Sequence, residues 1–146
     1  DGACQVHEKF SATKIQQLKS EHPAAKVLVH PECPPAVISL ADKVGSTAAL
    51  LKYSATDSAQ EFIVVTESGI LVEMQRLAPN KTFIPAPAED SDTTCNECEY
   101  MKLVTLNKLY NCLKYEWPAI EVEPEMGKKA VKSIHKMLEI SKSLGL

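Results

Sequence analysis

Cysteine and histidine side chains occur at spacings that could hold a metal ion. Cys4 and His7 are separated by two residues, and Cys95 and Cys98 repeat this spacing about ninety residues later. Two ligands so spaced can grip one ion because a tight turn directs both side chains inward. The pattern allows a zinc-stabilised binding module that uses all four residues. The alternative is that Cys95 and Cys98 form an exposed redox pair and that Cys4 is an ordinary buried thiol.

A second cluster of reactive types is formed by His30, Glu32 and Cys33, directly after the apolar run 26–29. A short apolar run of this kind predicts a buried parallel strand, and α/β sheets bind ligands at the carboxyl ends of such strands. There, His30 offers a hydrogen-bond donor and Glu32 an acid or base. The alternative is a strand end whose polar side chains are simply solvated.

Ser46 and Thr47 follow Gly45 and open a predicted helix. The free amides and hydroxyls of a helix start can hold a carboxylate or a phosphate. The alternative is that these residues only cap the helix.

Alternating apolar runs and helical periods predict the elements that position these residues. Strands separated by helices of about ten residues indicate a parallel sheet in an α/β layered domain. The predicted helices cover 11–21, 34–45 (with Val37, Leu40, Ala41 and Val44 facing inward), 46–53 and 70–77, and the strands cover 26–30, 61–66 and 81–85.

Residues 86–94 contain prolines and acidic residues and are predicted to be a linker. A helix at 106–114 capped by Thr105, a strand at 119–122 and a helix at 127–144 form a predicted C-terminal tail. Such a tail cannot bury its own faces, so it should dock on another part of a longer protein.

The composition limits the class of protein. The 146 residues have 45% apolar and 24% charged side chains and a net charge of −3, which suits a globular domain without a basic surface for nucleic acid. No apolar run approaches the roughly 20 residues that span a bilayer. Five cysteines, an odd number, argue against a disulfide scaffold. Cys112 shares a predicted helix with several leucines, so it should be a core residue.

Several stretches together resemble quinolinate synthase, in the order in which that family has them. They are GACQVHE at 2–8, VHPECP at 29–34, ADKVGST at 41–47, EFIV at 61–64, ESGIL at 67–71 and CEYMK at 98–102. Such a series is more specific than any single motif. The chain resembles the last domain and tail of that enzyme, with 1–94 as the third α/β domain and 95–146 as the segment of the cluster cysteine and tail.

The resemblance implies a fold of three pseudo-symmetric three-layer αβα domains around a central 4Fe–4S cluster. It implies that Cys4 and Cys98 are two of the three cluster ligands, that the third lies upstream of Asp1, and that Cys33 is not a ligand. By the same resemblance, Cys95 is an extra thiol that can pair as a disulfide.

The reaction implied by the resemblance belongs to NAD biosynthesis. Iminoaspartate condenses with dihydroxyacetone phosphate and loses phosphate and two waters to give quinolinate. Glu32 would move protons, His30 would hold a substrate oxygen, and Ser46 with Thr47 would fix a carboxylate or phosphate. The first two domains of this transferase are missing, so we expect the chain alone to be inactive.

The resemblance also implies partners and a compartment. The partners are the upstream domains of the same enzyme and the iron–sulfur assembly machinery, and a homodimer is allowed; nucleic acid and membranes are not among them. Residues 4–14 look more like plant than bacterial members, which implies a plastid (the chloroplast stroma), with bacterial cytoplasm as the alternative.

Overall fold

The computed structural model of the chain describes residues 4–88 and 96–145. Contacts divide the chain into two compact units, Asp1–Leu103 and Val104–Leu146. The segment that carries Cys98 therefore belongs to the first unit, whereas the sequence grouped it with the tail. The assignment of 1–94 and 95–146 to domains of a longer enzyme stays a prediction.

The first unit alternates helices and strands along the chain. Its elements are α1 (Gln5–Glu8), α2 (Ala12–Glu21), β1 (Lys26–Val29), α3 (Pro35–Ile38), β2 (Lys43–Val44), α4 (Thr47–Thr56), β3 (Glu61–Val65), α5 (Ile70–Leu77), β4 (Thr82–Pro85) and the 3₁₀ turn Met101–Leu103. The helices predicted at 11–21, 46–53 and 70–77 and the three predicted strands are all present, to within a few residues at their ends. The short α1 was not predicted.

The strands form one parallel sheet in the order β2-β1-β3-β4. Within it, Val27 of β1 lies opposite Ile63 of β3, and Ile63 lies opposite Ile84 of β4. Parallel neighbours need a crossover connection, and the helices between the strands supply it. The carboxyl ends of β1 and β3 consequently lie side by side at one edge of the sheet.

Two cores cover the two faces of the sheet, because successive side chains of a strand point to opposite faces. Val27 and Val29 of β1 pack in one core with Ile15 of α2. Leu28 packs in the other core with Leu50 of α4, and the cluster there also includes Met74 of α5. The predicted three-layer αβα architecture is therefore confirmed.

The helix predicted from Pro34 to Gly45 is wrong in its second half. Helix α3 ends at Ile38, and Lys43–Val44 instead forms the edge strand β2. Asp42 explains the change, because its carboxylate accepts a hydrogen bond from the Val27 N–H at 2.7 Å and its own N–H donates to the Val27 carbonyl at 2.9 Å. These two hydrogen bonds to β1 hold the segment extended. Val44, which was predicted to face inward, is 39% exposed.

Residues 86–94 were predicted to be a linker, and only 86–88 are among the described residues. Ala88 forms an isolated antiparallel bridge with Phe10, and both side chains are buried. The remainder of that predicted linker, together with Cys95, lies outside the described residues.

The second unit contains α6 (Leu106–Tyr115) and α7 (Pro124–Ser143). The predicted cap of α6 is confirmed, since the Thr105 side chain accepts a hydrogen bond from the Lys108 N–H at 3.3 Å. The strand predicted at 119–122 is wrong: these residues have no strand partner among residues 104–145, and Ile120 is 88% exposed. Cys112 is exposed, so its predicted core position is also wrong for this chain.

The apolar side chains of the tail helices are largely exposed. They include Leu106, Leu109, Leu113, Val131, Ile134 and Leu138. Among the described residues, no helix has the length and apolar character needed to cross a membrane.

Candidate active site

A pocket of about 350 Å³ lies at the carboxyl edge of the sheet. Thr66 follows β3 directly, Thr47 begins α4, and Cys4 precedes α1, so three separate elements meet there. The walls consist of Cys4, Val6, His7, Thr47, Thr66, Glu67, Gly69, Ile70, Cys98, Met101 and Lys102. The two predicted ligand cysteines, 94 residues apart in sequence, therefore line one pocket.

The His7 side chain uses both ring nitrogens in hydrogen bonds and is only 6% exposed. Its Nδ1 lies 3.0 Å from a Glu32 carboxylate oxygen, and its Nε2 lies 2.9 Å from the Thr66 hydroxyl. A carboxylate can only accept, so Nδ1 carries a proton, and a neutral ring then accepts from Thr66 through Nε2. His7 thus fixes the Glu32 carboxylate against the end of β3.

His30 stacks on this imidazole, with ring centroids 4.1 Å apart and an interplanar angle of 7°. Burial, and secondarily the neighbouring His7, lowers the pKa of His30, while Glu32 acts in the opposite direction. The Glu32 N–H donates to His30 Nδ1 at 3.3 Å. A neutral His30 that accepts at Nδ1 carries its proton on Nε2, where it can donate to another molecule.

Glu32 remains accessible, with 54% of its side chain exposed. One of its oxygens serves His7 at 3.0 Å and lies 3.8 Å from His30 Nδ1. The predicted pair His30 and Glu32 is therefore brought together, and His7 joins the pair to the pocket. Neither His30 nor Glu32 lines the pocket directly.

Ser46 and Thr47 have separate positions at the start of α4. The Ser46 hydroxyl accepts a hydrogen bond from the Ala49 N–H at 3.4 Å, which makes it the N-cap of the helix. Thr47 lines the pocket and Ser46 does not. The structure gives Ser46 a capping role and leaves Thr47 facing the site.

The four described cysteines differ in their surroundings. Cys4 and Cys98 are half-buried, Cys33 is buried, and Cys112 is exposed. Burial raises the pKa of Cys33 to about 12, and its thiol lies 3.7 Å from the Val65 carbonyl. Cys33 is therefore a protonated thiol at physiological pH, and it is not among the residues that line the pocket.

Comparison with known proteins identifies the group to which this chain is related. Residues 1–139 match the family described as quinolinate synthetase A protein. The chain belongs to this family. It is 51% identical over 141 residues to the quinolinate synthase of Thermosynechococcus vestitus and 49% identical over 141 residues to that of Chloroherpeton thalassium. These alignments cover 97% of this chain but 44% of each relative, so the chain spans less than half of their length.

Membership of the quinolinate synthetase A family supports the enzyme interpretation over the zinc module. Geometry adds to this, because both ring nitrogens of His7 are already engaged, by Glu32 and by Thr66. Potential ligand atoms of Cys4, His7 and Glu32 do lie within 4.8 Å of one another. Metal binding by His7 would however have to break one of its two hydrogen bonds.

Thr66 and Glu67 were not singled out by the sequence as functional residues. Both directly follow the apolar run of β3, in the same way that His30 follows β1. Their position at the end of a predicted strand is the feature of the sequence that could have identified Thr66 and Glu67 as site residues. His7 was considered only as a zinc ligand, and its bonds to Glu32 and Thr66 had no sequence signal.

Proposed function

We propose that the full-length protein is a quinolinate synthase, which condenses iminoaspartate with dihydroxyacetone phosphate and releases phosphate and two waters. The match over residues 1–139 supports this proposal. The observation that carries it is the pocket lined by Cys4 and Cys98 and joined through His7 to Glu32. A soft ligand pair and an acid/base group meet at the sheet edge where α/β folds bind ligands.

The thiols fit the 4Fe–4S cluster that the family implies. Thiolate is the ligand that iron–sulfur clusters use, and Cys4 and Cys98 both line the pocket while remaining half-buried. These two residues would hold the cluster, and a third cysteine would come from the part of the protein outside this chain. When bound, a cluster with three cysteine ligands supplies an open iron that acts as a Lewis acid.

Glu32 would carry protons during the dehydration and tautomerisation steps. Its carboxylate is accessible, and its hydrogen bond to His7 holds it in one orientation. A positioned carboxylate of this kind accelerates proton transfer, since the acid/base group is already in place. His30, with its proton on Nε2, would donate a hydrogen bond to a substrate oxygen.

Thr47 would bind a substrate carboxylate or phosphate at the start of α4. Thr47 lines the pocket, and the free amides of a helix N-terminus favour anions. The contribution of Ser46 would be indirect, because its side chain caps the same helix turn.

The remainder of the protein would complete the site. Upstream domains would supply the missing walls, and the apolar faces of α6 and α7 would dock on the first of them. Iron–sulfur assembly proteins would deliver the cluster, and a homodimer is compatible with this arrangement. The resemblance of residues 4–14 to plant members favours a plastid, whereas the bacterial relatives described above favour a bacterial cytoplasm.

Cysteine replacement in the full-length protein tests the proposal. Cys4→Ser and Cys98→Ser should each abolish the visible absorbance of protein reconstituted anaerobically with iron and sulfide, because each removes a proposed cluster ligand. Cys112→Ser is the matched control and should keep the full absorbance. Loss of absorbance in Cys112→Ser, with retention in the other two variants, would overturn the ligand assignment.

A further inference from the structure

Asn96, two residues before Cys98, bonds to the loop after β3 and to the residue that follows β4. The Ser68 N–H donates to the Asn96 carbonyl at 3.1 Å. The buried Asn96 side chain in turn donates to the Ala86 carbonyl at 3.1 Å. These bonds fix the segment two residues before the cysteine but do not reach the cysteine itself.

Glu67 makes the contact at the cysteine. One oxygen of its carboxylate accepts a hydrogen bond from the Cys98 N–H at 3.4 Å, and the other accepts from the Gly69 N–H at 2.7 Å. The side chain is only 14% exposed. A single carboxylate therefore joins the backbone of Cys98 to the start of α5, both of which lie on the pocket wall.

Two further features hold this carboxylate in place. The Lys102 ammonium lies 3.9 Å from the oxygen that serves Cys98, so it offsets the negative charge. Gly69 leaves the space that the other oxygen occupies, since a Cβ at Gly69 would lie 2.6 Å from it. A side chain at that position would push the carboxylate away from its present bonds.

We infer that Glu67 is a positioning residue for Cys98, holding its backbone so that the thiol stays on the pocket wall. The function of that thiol as a cluster ligand rests on the proposed function. Its positioning does not, and can be measured in the protein without metal. In this role Glu67 affects the chemistry through the position of Cys98.

The competing explanation is that Glu67 merely stabilises the first turn of α5 through Gly69. In that case its removal would loosen the first unit as a whole. A positioning role instead predicts a change confined to Cys98. The rate of thiol alkylation, measured separately at each cysteine, distinguishes the two explanations.

The test uses iodoacetamide on the reduced, metal-free full-length protein, with the modified cysteines located by peptide mass. Glu67→Ala should raise the alkylation rate of Cys98 by about 3- to 10-fold, the range expected when one hydrogen bond is lost. Gly69→Ala should act in the same direction, because it displaces the carboxylate while keeping its charge. Cys4 should react at its wild-type rate in both variants.

Glu67→Gln and Glu97→Ala are the matched controls. Glutamine keeps one acceptor oxygen, so it should restore part of the wild-type protection of Cys98. Glu97 is bonded to the same lysine at 3.5 Å and precedes Cys98 directly, so its removal deletes an equivalent charge without touching the Cys98 N–H bond. In Glu97→Ala, the alkylation rate of Cys98 should stay at the wild-type level.

Three outcomes would overturn the inference. The first is an unchanged Cys98 rate in both Glu67→Ala and Gly69→Ala. The second is a parallel rise at Cys4, Cys98 and the buried Cys33, which would indicate general loosening. The third is an equal rise in Glu97→Ala, which would mean that nearby charge and not the hydrogen bond controls the thiol. None of these outcomes depends on whether the protein makes quinolinate.

Discussion

The His7 imidazole lies between Glu32 and Thr66 and stacks on His30, so three chain segments hold one another at the edge of the sheet. The stacked His30 has a lowered pKa and stays neutral at physiological pH. A neutral imidazole beside the Glu32 carboxylate is compatible with the proton-transfer role proposed for Glu32.

Glu32→Gln in the full-length protein should lower turnover by about 10²- to 10⁴-fold, the usual contribution of a positioned acid or base. Glutamine keeps the shape and can still accept from His7, so the visible absorbance of the cluster should be retained. Steady-state quinolinate formation and the absorption spectrum of the same sample provide the measurement.

Glu21→Gln serves as the control for this variant, because Glu21 is exposed at the end of α2, next to the amino end of β1. It should have wild-type turnover. Near-normal turnover in Glu32→Gln would remove this carboxylate from the mechanism, and loss of absorbance would give it a structural role instead.

For the individual site residues, the sequence indicated the residue types and their positions at strand ends. It did not indicate their hydrogen-bond partners. His30 and Glu32 were predicted as site residues because they follow an apolar strand. The bonds of His7 join residues 25 and 59 positions apart, and Glu67 meets Cys98 across 31 positions. Contacts of that separation depend on strand order and register, which a single sequence does not specify.

The parallel strands themselves were predictable, because runs such as Phe62–Val65 are apolar on both faces. The edge strand β2 was not, because it has only two residues and one of them is a lysine. Its existence depends on the two bonds between Asp42 and Val27, which are tertiary contacts. The prediction of a strand at 119–122 was wrong because it rested on β-forming residue types alone. Such residues do not form a strand without a neighbouring strand to pair with.

The opposite, amino edge of the sheet contains an ion pair that ties β1 to the end of α4. Lys26 Nζ lies 2.7 Å from an Asp57 oxygen and 3.1 Å from the Tyr53 hydroxyl. The hydrogen bond from Lys26, with those from the Ala59 N–H and Tyr53, lowers the pKa of Asp57 to about 2. The hydrogen bond to Asp57, followed by the one to Tyr53, raises the pKa of Lys26.

The lowered pKa of Asp57 makes the stability of the first unit depend on acid pH. A carboxylate with a lower pKa in the folded state contributes its full stabilisation above its unfolded pKa, about 3.9, and loses it as the pH falls through the folded value. Asp57→Asn should therefore lower the free energy of unfolding by a constant amount above about pH 5. The difference from wild type should shrink between about pH 4 and about pH 2. Urea unfolding followed by circular dichroism at a series of pH values measures it.

Lys26→Met gives the matched control, because it removes the cation and keeps the aliphatic part of the side chain. In that background the Asp57→Asn substitution should have a much smaller, nearly pH-independent effect. A difference between wild type and Asp57→Asn that stays constant from about pH 5 to about pH 2 would show that the carboxylate does not titrate as proposed.

At the scale of the whole molecule, the chain spans less than half the length of its relatives, and its tail helices expose their apolar faces. Leu106 is 84% exposed and Leu113 is 74% exposed on α6. Exposed rows of this kind mark surfaces that bind another part of a protein. These exposed apolar faces are consistent with the proposal that residues outside this chain complete the site.

The isolated chain should make no detectable quinolinate. It has two of the three proposed cluster ligands and one wall of a site that depends on groups held from several sides. The α/β core should still fold, because both faces of its sheet are covered by helices within the first unit. The expected product is therefore a folded and colourless protein.

The measurement is anaerobic reconstitution with iron and sulfide, followed by a quinolinate assay on the chain alone and on a mixture with the upstream domains. The upstream domains alone are the control. Activity confined to the mixture would support a shared site, whereas quinolinate formed by the isolated chain would show that the active site has been misplaced.

Cys4 and Cys98 stand near the two ends of the first unit, and the residues that follow them, Gln5 and Glu99, are joined by a hydrogen bond of 3.2 Å. Any group held by both thiols would close a loop between residues that are 94 positions apart. In the chain-entropy model used for disulfides, closing a loop of about 100 residues lowers the entropy of the unfolded chain. This raises the free energy of unfolding by about 4–5 kcal/mol. The two thiols proposed to hold the cluster would then also stabilise the fold by cross-linking the chain. Loss of iron would increase the conformational entropy of the unfolded chain and so lower the free energy of unfolding.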